Sequence, residues 1–246
     1  YVIENYDGAM SEPLYLFLTI SGFMTILIYL KKQKNWILIL AALLAGLSIL
    51  TRYIGIVNMV GGALMLFLFL QKNIKNRAFT CFWYILIALI FPFIWIFFSG
   101  PAAGIGNRQL IFPADFITVI RNFYHANIIS FADWLPVQKS WQLNDETRFF
   151  VTALIGGFSF ISLVIAFWIK RQKKPTHWDG FDRLIFGSAI LALTYLLIFF
   201  ATFAFSSLPP DINNRTLIPL FPFFILVFYG IFFHFPRTHF EKVLSS

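Results

Sequence analysis

Apolar runs of close to twenty residues recur along this chain, and a run of that length constrains folding more than any other feature it has. A bilayer core takes about 20 apolar residues per helix. Runs of that kind are expected at Pro13–Leu30, Trp36–Tyr53, Ile56–Leu70, Phe79–Phe98, Phe149–Ile169, Leu184–Phe205 and Leu217–Phe235. The reading is all-α: a polytopic transmembrane helix bundle of about seven spans, with a partly helical outer loop at 99–148. Composition agrees. The 246 residues are 59% hydrophobic and 12% charged, whereas soluble domains run nearer 45–50% and about 25%. That excludes an ordinary water-soluble globule and a disordered chain.

The charges alternate with the runs. Lys31, Lys32 and Lys34 follow the first, Lys72, Lys75 and Arg77 the third. Lys170, Arg171, Lys173, Lys174 and Arg183 surround the fifth-to-sixth connection, and Arg237 and Lys242 follow the seventh. The intervening loops are poorer in cations and hold most of the carboxylates. The positive-inside rule then places Tyr1 outside and the C-terminus in the cytoplasm. It also accounts for the net charge of +8 without nucleic acid as a partner. Cys81 is the single cysteine, so no disulfide framework is expected.

The second and third runs together, Trp36 to Leu70, fall short of the roughly 40 residues that two crossings need. The tip near Arg52–Gly55 is therefore expected below the outer membrane surface, where charge persists only against protein or a wet cavity. In the 99–148 loop, Phe116, Ile120, Phe123, Ile128 and Phe131 recur at helical spacing. Two readings stay open for that helix: it lies on the membrane face, or it packs on the bundle.

Few polar residues break the apolar pattern near the outer mouths. Ser11 is expected to cap the first helix, with Pro13 in its first turn. Glu12 then either complements the helix N-terminus or holds a ligand. Arg52, with Tyr53 beside it, either snorkels to headgroups or binds an anion, for which a guanidinium fork suits phosphate. Asp211, Asn214 and Arg215 enter the last span after Pro209-Pro210. They form either a capped, neutralised loop or an anion site. Asn214-Arg215-Thr216 also matches a glycosylation sequon, too near the expected membrane to carry weight. Asp145-Glu146 reads as helix capping. The four histidines are dispersed, so no metal spacing is present. Gly61-Gly62 and Gly156-Gly157 read as close helix packing.

Ser11-Glu12-Pro13-Leu14, Thr51-Arg52-Tyr53-Ile54-Gly55 and Asn214-Arg215-Thr216-Leu217-Ile218-Pro219 together resemble the GT-C class of polytopic glycosyltransferases. The branch in view contains protein O-mannosyltransferases and lipid A aminoarabinose transferases. The resemblance implies transfer of a sugar from a polyprenyl-phosphate donor to a lipid, glycan or protein acceptor on the extracytoplasmic face. Glu12, Arg52, Tyr53, Asp211, Asn214 and Arg215 are the expected substrate contacts, with a divalent metal as an open alternative at Glu12. The family's catalytic carboxylate sits in a first outer loop that has no match here. With Tyr1 in place of a Met, the chain is expected to be the later part of such a protein, inactive alone, with its catalytic residue upstream. A bacterial inner membrane is the expected location. A transporter or lipid flippase, and a non-catalytic membrane subunit, are the alternatives.

Overall fold

The computed structural model describes residues 2–99, 115–132, 180–205 and 217–230. Among these residues the regular elements are all helical. They are α1 (Val2–Lys32), α2 (Asn35–Thr51), α3 (Ile56–Phe69), α4 (Ile74–Ser99), α5 (Phe116–Ala132), α6 (Gly180–Phe205) and α7 (Phe221–Tyr229). Short 3-10 turns at Tyr53–Gly55 and Ile218–Leu220 lead into α3 and α7.

Three stretches are long and apolar enough to cross a membrane: Glu12–Lys32, Ile74–Phe98 and Gly180–Phe205. They coincide with the first, fourth and sixth expected spans. The crossings carried by the described residues are thus fewer than the seven expected. α2 and α3 are shorter, at 17 and 14 residues, or roughly 26 and 21 Å against a core of about 30 Å. Their shortness agrees with the expectation that this pair does not complete two crossings. The fifth expected span lies outside the described residues. Of the seventh, the described part is a 3-10 turn and the nine-residue α7.

One local expectation is overturned. Ser11 does not cap α1, because the helix runs from Val2 straight through Ser11, with Pro13 in its interior. Proline removes one i→i−4 hydrogen bond. A helix of 31 residues retains many others on both sides of that gap.

The chain divides into two compact units, one formed by Tyr1–Asn107 with Pro175–Ile198, the other by Arg108–Lys174 with Phe199–Ser246. In the first, α1 ends where Gln33 takes a left-handed φ of 50° and its N–H returns to the Tyr29 carbonyl at 2.7 Å. A residue in that conformation closes a helix and reverses the chain. α2 then lays down a buried stripe of small side chains, Ala41, Ala42, Ala45 and Gly46. Small residues let helix backbones approach closely. A Cβ at Gly46 would collide with the Ala88 carbonyl of α4, and one at Gly61 would stand 2.6 Å from Leu191 of α6. Gly61 and Gly62 are therefore packing glycines, as read from the sequence; Gly156-Gly157 lies outside the described residues. Tyr15, Phe23 and Ile26 of α1, Met65 and Leu66 of α3, Tyr84 of α4 and Ile185 of α6 fill the interior.

α4 is peripheral. Only 11% of its apolar stretch is buried, against 50% for α1 and 56% for α6. Phe79, Phe93, Phe97 and Phe98 stand out from it. An apolar surface of this extent marks contact with something other than water, and lipid is the environment that helices of this length fit.

In the second unit, α5 starts at Asp115, whose carboxylate accepts hydrogen bonds from the Thr118 backbone N–H at 3.1 Å and from the Thr118 hydroxyl. This is a side-chain N-cap. The Phe123 ring packs against Phe199, Phe200 and Phe203, and Phe116 against Phe200 and Phe205. Of the two readings of this helix, packing on a neighbouring helix is the one its described contacts support.

Candidate functional site

The site begins with the way α2 ends. Ser48 donates its hydroxyl to the Ala45 carbonyl at 2.7 Å, and Thr51 donates to the Ser48 carbonyl at 2.8 Å. Hydroxyls bonding back to nearby carbonyls compete with the helix ladder and favour its termination. Arg52 is extended, with φ −152° and ψ 133°. The Gly55 N–H then returns to the Arg52 carbonyl at 2.7 Å. Gly55 lies so close to the backbone of Ser48 and Ile49 that a Cβ would collide with both. Glycine is what allows this tip to fold onto its own helix.

The tip aims Arg52 at α1. Its Nη1 stands 3.5 Å from Oε1 of Glu12, and the two side chains are 27% and 21% exposed. Two sequence-predicted residues, forty positions apart, thus form a half-buried ion pair. At this separation the charges attract, but Nη1 makes no hydrogen bond among the described residues, since 3.5 Å exceeds the usual N–H···O range. Tyr53, the third predicted residue, is half-exposed beside them. Tyr195 of α6 lies within electrostatic range of Glu12, Tyr15, Arg52 and Tyr53. The cluster is drawn from α1, the α2–α3 tip and α6.

Below the pair runs a buried polar chain. Glu12, Tyr15 and Thr19 share one face of α1, at helical spacings of three and four. Tyr15 and Thr19 are both buried. The Asn58 amide of α3 donates to the Thr19 hydroxyl of α1 and to the Ser48 hydroxyl of α2, each at 2.8 Å. Tyr84 of α4 donates to the Asn58 backbone carbonyl at 3.1 Å. Four helices are therefore tied at Asn58, next to the tip that carries Arg52. The Asn58 side-chain Oδ1 is buried and has no hydrogen-bond partner among the described residues.

Sequence reasoning missed Asn58, Tyr15, Thr19 and Tyr195. Their signal was an amide and hydroxyls inside otherwise apolar helices, where polar groups act as interhelical links. Asp211, Asn214 and Arg215 lie outside the described residues, as does Asp145-Glu146. Among the described residues no three His, Cys, Asp or Glu side chains are grouped to hold a metal ion.

Chemically, the cluster is a guanidinium held in apolar surroundings, neutralised by one carboxylate and flanked by phenols. Such a cation recognises an anion through charge-assisted bonds, with Glu12 as the group the anion competes against. No protein-family model, no curated protein and no solved structure matches the chain.

Proposed function

We propose that the chain is part of a GT-C type membrane glycosyltransferase, in which Arg52 receives the phosphate of a polyprenyl-phosphate sugar donor. The observation that carries this reading is the Arg52–Glu12 pair at the tip of a helical hairpin too short to cross a bilayer. A charge held there is a functional feature by default. As the acceptor oxygen attacks the anomeric carbon, the bond from that carbon to the phosphate oxygen breaks. The prenyl phosphate leaves with the electron pair. A cation aimed at that growing charge lowers the barrier. Tyr53 would donate to the phosphate, and Glu12 would orient the sugar hydroxyls. The acceptor's proton would pass to a carboxylate supplied outside this chain's described residues. Asp211, Asn214 and Arg215 are kept as further proposed donor contacts on the strength of the sequence alone. In this reading the chain makes seven passes, with Tyr1 outside and the C-terminus in the cytoplasm of a bacterial inner membrane.

The test is donor-lipid binding by the complete protein carrying Arg52→Ala or Arg215→Ala. Each variant is expected to lose at least roughly tenfold in affinity, the scale of one charge-assisted contact. Wild-type affinity in both variants would remove the phosphate assignment.

A transporter is the second reading, favoured by the interruption between α2 and α3. Broken helices with unwound tips line substrate paths in many transporters. Solute counterflow in liposomes, set against sugar transfer from a prenyl-phosphate donor, separates the two.

A further inference from the structure

The other end of the first unit carries a surface of its own, and we propose that it binds the headgroups of anionic phospholipids. The hairpin order of α1 to α4 places the α1–α2 turn and the α3–α4 turn at the same end, away from Arg52. Tyr29 near the close of α1 and Thr80 near the start of α4 are both buried there. A contact with α6 fastens that end. Arg183 near the start of α6 donates to the Leu30 carbonyl at 3.3 Å.

The surface is cationic. Lys31, Lys32, Lys34 and Lys75 are exposed, and Lys72 and Arg77 are half-buried. Arg77 donates to the Lys72 and Phe67 carbonyls, so it also shapes the turn on which the lysines sit. Among the described residues of this unit, the one carboxylate at this end is Asp182, which is fully buried. Glu4, Asp7 and Glu12 lie toward the far end of α1. The exposed positive charge therefore has no exposed negative counterpart among the described residues around it.

Large apolar side chains stand beside these cations. Trp36, Ile74 and Phe79 are 61%, 70% and 62% exposed. Trp36 follows Lys34 by two positions, and Ile74 sits between Lys72 and Lys75. A nucleic acid or a soluble acidic protein would leave those side chains in water. A lipid offers phosphate to the lysines and acyl chain to the aromatics at one depth, which is the arrangement of a membrane interface. Clusters of four to eight cations next to membrane helices are of the size that selects anionic lipid. This inference does not depend on the glycosyltransferase reading.

The experiment uses the full chain in nanodiscs of phosphatidylcholine mixed with phosphatidylglycerol or cardiolipin, with retained lipid measured by mass spectrometry. The expected result is enrichment of the anionic lipid, weakened by added salt because exposed charges are screened. The variant Lys31→Gln/Lys32→Gln/Lys34→Gln/Lys75→Gln should lose that enrichment by at least roughly tenfold. Its unfolding in zwitterionic detergent should match the wild type. Millimolar inorganic phosphate should not displace the lipid, since it lacks the acyl chains. Equal retention of anionic and zwitterionic lipid, retention unchanged by the substitutions, or displacement by phosphate would each overturn the proposal. Where the variant fails to fold, the wild type's lipid preference at low and high salt decides.

Discussion

Asn58 shows how much one side chain can hold in an apolar bundle. A bilayer does not drive helices together by the hydrophobic effect, since the tails are as apolar as the side chains. Interhelical hydrogen bonds and close packing then carry more of the specificity. The Asn58 amide reaches α1 through Thr19 and α2 through Ser48. Asn58→Ala would leave both hydroxyls without that donor. The expected loss is about 1–2 kcal/mol, from two bonds of the strength measured inside membranes. Unfolding of the purified protein in detergent reads it. The Tyr84 bond goes to the Asn58 backbone and should survive the substitution. Stability equal to wild type would show that the amide is not a tie. The same residue explains a limit of sequence reading. An Asn in an apolar run announces a polar link, but nothing local says which helices it joins. Glu12 and Arg52 were singled out separately for the same reason: charge in an apolar context is conspicuous, whereas a pairing between positions 12 and 52 is a tertiary fact.

At the scale of elements, patterns set within one helix were legible and boundaries set by neighbours were not. The amphipathic spacing of α5 located that helix from Phe116 onward, and Asp115 and Thr118 supply its cap. Thr118 hydrogen bonds hold the Asp115 carboxyl below the usual aspartate range, the side-chain hydroxyl contributing most and the backbone N–H next. A lowered pKa in the folded state means the cap stabilises above the unfolded value and is lost as pH falls through the folded one. Faster amide exchange in the first turn of α5 is therefore expected below about pH 4. Asp115→Ala should exchange fast at every pH. Exchange at Thr118 that ignores both acid and the substitution would rule the cap out. The start of α1 was misplaced because Ser11 and Pro13 carry a helix-start signature. The signature is a local preference, and a helix already under way at Val2 overrides it. The short hairpin was legible for a plainer reason, since its length falls below a physical minimum. The turn chemistry of Ser48, Thr51 and Gly55 then explains where it breaks.

At the scale of the molecule, the all-helical character of the described residues and their segments long and apolar enough to cross a membrane followed from composition and run length, while the number of such segments did not. The hairpin of α2 and α3 has one further consequence. Against a core of about 30 Å, these helices stop roughly 4 and 9 Å short. Over two helix cross-sections some 10 Å wide, the shortfall is a volume of about 1,000 Å3, equivalent to roughly thirty water molecules. Placed in a bilayer as proposed, the Arg52 guanidinium would not be solvated by acyl chains, so water would fill that volume and the membrane would be electrically thinner over this hairpin than around it. In a Cys81→Ala background, Tyr53→Cys should react with a membrane-impermeant maleimide, and Phe97→Cys on the outward face of α4 should resist it. Equal labelling of the two would show that no such dent exists. With it, the dielectric barrier above Arg52 falls below that of intact bilayer, and an anionic headgroup could approach sideways without leaving its leaflet.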